Sequence, residues 1–204
     1  MKKSMTILYK VHNNLYINLT NRCSSSCTFC LRQTRDSMEG SDSLWLEHEP
    51  SYEEVIDAFK NVNVDDYDEI VFCGFGEPTE RFDILVKVAK YIKETYNKPI
   101  RLNTNGQGNL INKRNIESEL EGIVDTISIS LNTPDAKKYQ EIVRSEFKEE
   151  AFPAMLDFVK EAKKYVPSVI LSTVDTTLTK DEEAQCQKIC DDLGVTYRIR
   201  PWED

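Results

Sequence analysis

Three cysteines fall within eight residues in "NRCSSSCTFC", residues 21–30, and no other stretch carries so strong a chemical signal. Cys23, Cys27 and Cys30 form a C-x3-C-x2-C pattern. Thiolates are soft donors that suit zinc and iron–sulfur clusters. A closed structural zinc site takes four ligands, so a zinc reading needs a fourth from His12 or His48. An iron–sulfur cubane can be held by three protein thiolates when another group takes the fourth iron, which then becomes a coordination site for a substrate or cofactor. Spacing by itself leaves zinc, iron–sulfur and coincidence open.

The elements that must position these thiols can be read from hydrophobic patterning. Six β-branched or alternating runs recur: "LYINLTN" (15–21), "DEIVFCG" (68–74), "KPIRLNTN" (98–105), "DTISISLN" (125–132), "SVILSTVDT" (168–176) and "TYRIRPW" (196–202). Helix-patterned stretches lie between them. "SYEEVIDAFKNV" opens with Ser51 and has Glu54 three residues on, a capping-box signature. "FDILVKVAKYIKETY", "PDAKKYQEIVRSEF", "FPAMLDFVKEAKKY" and "TKDEEAQCQKICDDLG" follow, the last ending at Gly194 as a C-cap. Strands alternating with helices predict parallel βαβ units.

One strand face is polar. Thr126, Ser128, Ser130 and Asn132 oppose Ile127, Ile129 and Leu131; Tyr16, Asn18 and Thr20 oppose Leu15, Ile17 and Leu19; Arg198 and Arg200 oppose Tyr197 and Ile199. Strands covered by helices on both sides are apolar on both, so the polar face is expected to line a cavity. A full eight-unit barrel takes roughly 250 residues. Six units in 204 residues predict an α/β fold of the partial, open (β/α)6 barrel type, with the cysteines at its C-terminal mouth. An open α/β sheet with a few solvated positions is the alternative.

The cysteine spacing, with Phe29 directly before the last thiol, resembles the C-x3-C-x-Φ-C signature of the radical S-adenosylmethionine (radical SAM) superfamily. "GFGEP" (74–78) resembles the family's Gly-Gly-Glu motif, with Phe75 in place of a glycine, and "NTNG" (103–106) and "SISLN" (128–132) stand where the family places further cofactor contacts. The "NLTNRCSSSCTFCLR" opening is most similar to the TatD-associated radical SAM proteins, which neighbour a TatD-type hydrolase.

The resemblance implies that Cys23, Cys27 and Cys30 hold a [4Fe–4S] cluster whose fourth iron binds S-adenosylmethionine. Reductive cleavage then gives methionine and a 5′-deoxyadenosyl radical, which takes hydrogen from a substrate. It implies that Gly74, Gly76 and Glu77 receive the methionyl ammonium. Ser130 and Arg144 meet the methionyl carboxylate, Asn105 and Asn132 the ribose, and Phe29 and Val174 the adenine. A flavodoxin- or ferredoxin-type electron donor is implied as well. The bland alternatives are a surface pair of Arg144 with Glu141 or Glu146, an ordinary turn at "NTNG", and a non-catalytic iron–sulfur or zinc module.

Other residues carry less. Cys73, Cys186 and Cys190 read as buried small side chains with no assigned role. Arg198 and Arg200, with Trp45 of the 35–51 loop, are the candidate substrate contacts, and two interior arginines suggest an anionic group unless they pair with Asp175. That loop, rich in Gly, Ser and acids, is expected to be a mobile lid over a wide opening; a protein or peptide substrate would supply cover of its own. The net charge of −9 argues against broad nucleic-acid binding. No apolar run reaches membrane-span length and none near the start is long enough for a signal peptide. The expectation is a cytoplasmic chain with one core domain over 1–204 and no auxiliary cluster domain.

Overall fold

The structure, a computed structural model, describes residues 2–202. Seven strands form one sheet in chain order: β1 (Leu8–Val11), β2 (Asn14–Ile17), β3 (Ile70–Phe72), β4 (Ile100–Thr104), β5 (Thr126–Ser130), β6 (Ser168–Val174) and β7 (Thr196–Arg200). Strands β2 to β7 are parallel, and β1 pairs antiparallel with β2. Helices fill the crossovers: α1 (Tyr52–Phe59), α2 (Phe82–Thr95), α3 (Gly108–Asn112), α4 (Ala136–Val143) with α5 (Ala151–Ala162), and α6 (Lys180–Leu193). The six parallel strands are those expected, and β1 does not pair with β7, so the barrel is open.

Strand β1 and helix α3 escaped the sequence reading. The hairpin turns at His12, whose φ is +52°, a left-handed residue that no Asn-Gly or Asp-Gly pair advertises. Helix α4 stops at Val143 rather than running on to Phe147, because Arg144 takes φ +51° and its N–H caps back to Gln140. The expected capping box forms at Ser51 with Glu54, a second forms at Thr179 with Glu182, and Gly194 closes α6 at φ +64°.

The strand faces separate as their patterning requires. Ile127, Ile129 and Leu131 are fully buried against helix residues such as Leu85, Ile92, Met155 and Phe158. The opposite face carries Asn18, Cys73, Asn103, Ser128, Ser130 and Ser172 in the interior of the curved sheet. Register places Arg198 beside Ser172, which in turn neighbours Ser130, and Arg200 beside Val174. Arg101 joins this face from β4, with Nη2 2.8 Å from Glu69, a cation the sequence reading passed over.

The 35–51 loop corrects an expectation. It is not a free lid. Leu44 and Leu46 are 1% and 0% exposed. The Asn18 amide donates to the Leu44 carbonyl at 2.8 Å, and Asn21 exchanges two hydrogen bonds with the Leu46 backbone at 2.8 and 2.9 Å. Tyr9, Val11, Leu44 and Phe75, with Tyr16, Met38 and Trp45 against them, form a second apolar cluster on the inner side of β1 and β2. The loop is thus a strap packed over one flank of the open barrel. The other flank ends in the edge strand β7, near which Ile199 and Trp202 are the exposed large apolar side chains among the described residues.

Leu46→Ala tests this packing. A buried leucine truncated to alanine costs about 2–5 kcal/mol, whereas a side chain on a mobile lid would change stability by no more than about 0.5 kcal/mol. Urea denaturation of the variant should therefore show the larger loss.

Candidate cluster and cofactor site

The cysteine loop follows β2 at the C-terminal end of the sheet and is held by backbone pairing with a distant segment. Residues 24–28 run antiparallel to 142–146. The Glu146 N–H donates to the Ser24 carbonyl at 2.9 Å, Ser26 N–H to Val143 at 3.1 Å and Thr28 N–H to Ile142 at 2.8 Å, with a bridge between Ser25 and Ser145. Arg144 therefore lies on the segment facing the stretch between Cys23 and Cys27.

A buried amide completes this attachment. Gln107, fully buried, accepts from Ser24 Oγ at 3.0 Å and Ser145 Oγ at 2.8 Å, and donates to Ser25 Oγ at 3.3 Å and Tyr139 Oη at 3.2 Å. Its only sequence signal was a place just after "NTNG". Arg32 supports the loop from the other side. Its guanidinium donates to the Asn21, Phe75 and Ser25 carbonyls at 3.3–3.4 Å.

All six cysteines are free thiols. Burial pushes the Cys23 thiol up to about 12, reinforced by the Glu77 charge and opposed by Arg32. Burial, then Cys30, pushes Cys27 up to about 11, again opposed by Arg32. Such thiols ionise readily only when a metal's positive charge replaces the proton. Among the described residues, no three Cys, His, Asp or Glu side chains close on one point at metal-binding geometry. Neither histidine stands ready to complete a zinc site. His12 turns the β1–β2 hairpin at the opposite end of β2 and pairs with Glu39 at 3.0 Å, while His48 pairs with Glu54 at 2.8 Å. Three free thiols on one loop, with no histidine beside them, match the donor set of a three-thiolate iron–sulfur cluster better than a four-ligand zinc site.

The glycine loop packs directly under the cysteine loop. A Cβ on Gly76 would stand 2.3 Å from the Thr20 carbonyl oxygen and 2.5 Å from that of Arg22, and one on Gly74 would stand 2.1 Å from Asn18 Oδ1. The glycines therefore serve close backbone packing between two loops. Phe75, at the motif's variant position, fills the strap cluster edge-on to Trp45, with ring centroids 5.2 Å apart. Glu77 is buried and accepts from Thr79 N–H, Thr79 Oγ, Thr104 Oγ and the Asn105 N–H at 2.7–3.1 Å. Burial raises its carboxyl pKa, and these donors pull it back.

The family model of the Radical SAM superfamily matches residues 17–197. The chain belongs to the radical SAM superfamily. Curated relatives include a GTP 3′,8-cyclase of Limosilactobacillus fermentum, 27% identical over 71% of this chain and 41% of that protein. A probable GTP 3′,8-cyclase of Pyrococcus horikoshii is 28% identical over 83% of this chain and 49% of that protein. The chain thus spans less than half the length of these relatives. Among solved structures, Streptococcus suis SuiB bound to precursor peptide SuiA covers 94% of this chain and 39% of its own at 19% identity, with a TM-score of 0.68. Methylornithine synthase covers 93% of this chain and 53% of its own at 14% identity and a TM-score of 0.64. These two likenesses establish the shared fold. Members of the radical SAM superfamily use a [4Fe–4S] cluster and S-adenosylmethionine.

The remaining expected contacts of this radical SAM chain divide by what they already touch. Asn105 is spent on the protein: its amide donates to Ser24 Oγ at 3.0 Å and its carbonyl accepts from Gln107 N–H at 2.9 Å. Asn132 differs. It is 5% exposed at φ +64°, and its Oδ1 is buried with no hydrogen-bond partner among the described residues. An acceptor left in that state fits a ligand hydroxyl. Ser130 and Val174 are half-buried on the inner face, and Phe29 is half-buried outside both apolar clusters. Arg144 is exposed, and its side chain pairs with neither Glu141 nor Glu146. Arg198 is exposed and Arg200 half-buried on β7, whereas Trp45 is engaged by Phe75. Cys186 and Cys190 are fully buried core thiols on α6.

Glu77→Ala strands four donors in a buried site. Hydrogen bonds to a charged acceptor are worth about 1.5–3 kcal/mol each, so the variant should lose more than about 3 kcal/mol in urea denaturation. A loss under about 1 kcal/mol would show that Glu77 is not a structural acceptor.

Proposed function

We propose that this protein is a radical SAM enzyme in which Cys23, Cys27 and Cys30 hold the [4Fe–4S] cluster and Arg144, Ser130 and Asn132 contact S-adenosylmethionine. When bound, the reduced cluster supplies the electron that cleaves S-adenosylmethionine to methionine and a 5′-deoxyadenosyl radical, the species that takes hydrogen from the substrate. The observation that carries this reading is the pairing of the three-thiol loop with the 142–146 segment. It puts Arg144 on the segment that faces the stretch between Cys23 and Cys27 in a superfamily member, which supports this reading. Arg144 offers a two-pronged donor for a carboxylate. Asn132 Oδ1 offers an acceptor for a ribose hydroxyl. Gly74 and Gly76 keep the loop backbone close, leaving their carbonyls as acceptors for an ammonium group.

The inner face favours an anionic substrate, because Arg198 and Arg200 stand on it in addition to Arg101, which Glu69 pairs at 2.8 Å. A carboxylate or phosphate group suits these side chains, whether on a small molecule or on a protein or peptide. A nucleotide is the second reading, favoured by the names of the curated relatives, which are GTP 3′,8-cyclases. The similarity of the "NLTNRCSSSCTFCLR" opening to the TatD-associated group supports a TatD-type hydrolase as pathway neighbour instead. Flavodoxin or ferredoxin is the electron donor consistent with this chemistry.

Anaerobic reconstitution tests the assignment. Cys23→Ala, Cys27→Ala and Cys30→Ala should each lose most of the iron, and a Cys73, Cys186 and Cys190 triple alanine variant should keep it. Iron loss in the triple variant alone would overturn the ligand set.

With dithionite, the holoprotein should form 5′-deoxyadenosine from S-adenosylmethionine, read by chromatography. Arg144→Ala should weaken S-adenosylmethionine binding about 10- to 100-fold at unchanged iron content. Absence of any cleavage by the iron-loaded protein would favour a non-catalytic iron–sulfur module.

A further inference from the structure

Gln107 is spent at all four positions of its side-chain amide, and with the groups it touches it joins three different βα connections. Ser24 and Ser25 lie between Cys23 and Cys27 after β2. Gln107 itself follows β4. Tyr139 and Ser145 belong to α4 and the turn beyond it, after β5. Ser145 directly follows Arg144, whose φ of +51° is unfavourable for a residue with a side chain. The turn therefore needs external support. Ser145 supplies it twice, donating its hydroxyl to Gln107 Oε1 at 2.8 Å and accepting from the Phe147 N–H at 3.1 Å. Gln140 adds a third tie by donating to the Ser145 carbonyl at 3.0 Å.

We propose that Gln107 is a positioning residue: its buried amide locks the cysteine loop and the Arg144 turn into one frame, and so sets the spacing between the thiols and the arginine. The inference rests on the reading of Arg144 as the group that meets the cofactor's carboxylate. A neutral amide is suited to this place. It presents two acceptor and two donor positions to four hydroxyls, so each of them keeps a partner in a fully buried setting. The bond to Ser145 acts on the arginine, and the bonds to Ser24 and Ser25 act on the thiol loop, so the two arms can be cut separately.

The test is a double-mutant cycle on S-adenosylmethionine binding, measured by calorimetry on the anaerobically reconstituted holoprotein. Ser145→Ala cuts one arm with a small, conservative change. It should weaken binding about 3- to 10-fold and leave iron content and the spectrum of the cofactor-free reduced cluster unchanged. In the Arg144→Ala background, the same change should have no further effect, because the arm acts through the arginine. A merely structural serine would weaken binding by the same factor in both backgrounds, and that additive outcome overturns the inference while leaving the Arg144 reading intact. Unchanged binding in Arg144→Ala alone overturns both. Gln107→Leu, which takes one partner from each of the four hydroxyls, should alter the electron paramagnetic resonance signal of the reduced cluster even without S-adenosylmethionine; an unaltered signal also counts against the proposal.

Discussion

The whole arrangement depends on one constraint: a strand has two faces, and in this sheet only one of them can be covered by helices. The apolar side chains of β2 to β7 point outward into α1 to α6, where Ile17, Ile70, Leu102, Ile129 and Leu171 are completely buried. The inward face must then meet water, a ligand or another polar group, since unpaired polar atoms are costly away from solvent. The Asn18 amide donates to the strap at Leu44, while its Oδ1 and that of Asn103 are buried with no hydrogen-bond partner among the described residues, and the Tyr9 hydroxyl donates to the Cys73 carbonyl at 3.0 Å. Asn132 Oδ1 remains without a partner among the described residues, at the end of the sheet where the thiols stand. The polar interior and the chemistry at its mouth are consequences of the same separation of faces.

The loops at that mouth are held by short polar side chains rather than by apolar packing. Ser24, Ser25, Asn105, Gln107, Tyr139 and Ser145 form one connected network. Glu77 organises a second, in which one carboxylate collects the start of the turn after β3 and the end of β4. Polar networks with every member satisfied are rigid and geometrically specific, which suits a loop that must present three thiols. The electrostatic cost is visible in the same place. Burial and Glu77 oppose ionisation of Cys23, and Arg32 is the cation that works the other way on both Cys23 and Cys27.

The two flanks of the open barrel differ in kind. Beside β1 the strap places Leu44 and Phe75 against Tyr9 and Val11 and closes the inner face with an apolar cluster. Beside β7 the sheet simply ends, with Ile199 40% exposed. Arg198 and Arg200 lie on this second flank.

What the sequence determined by itself was everything carried by local spacing. The C-x3-C-x2-C triad, the strand alternation and the Ser51–Glu54 capping box are short-range patterns, each legible in its own window. The six parallel strands and the order of their helices followed from them. The tertiary structure decided what depends on residues far apart in the chain. Gln107 carries no pattern of its own, and its role arises only because the loops after β2, β4 and β5 converge on it. Arg144 was read as part of a longer helix, yet a left-handed residue ends α4 there, and pairing with the cysteine loop holds the turn. Asn105 and Asn132 looked alike in sequence, but one is bonded on both sides to protein and the other keeps a buried acceptor. The 35–51 segment has the composition of a mobile loop. Burial of Leu44 in the cluster beside β1 and β2, together with burial of Leu46, turned it into a strap, because burial is a property of the surroundings and not of the segment.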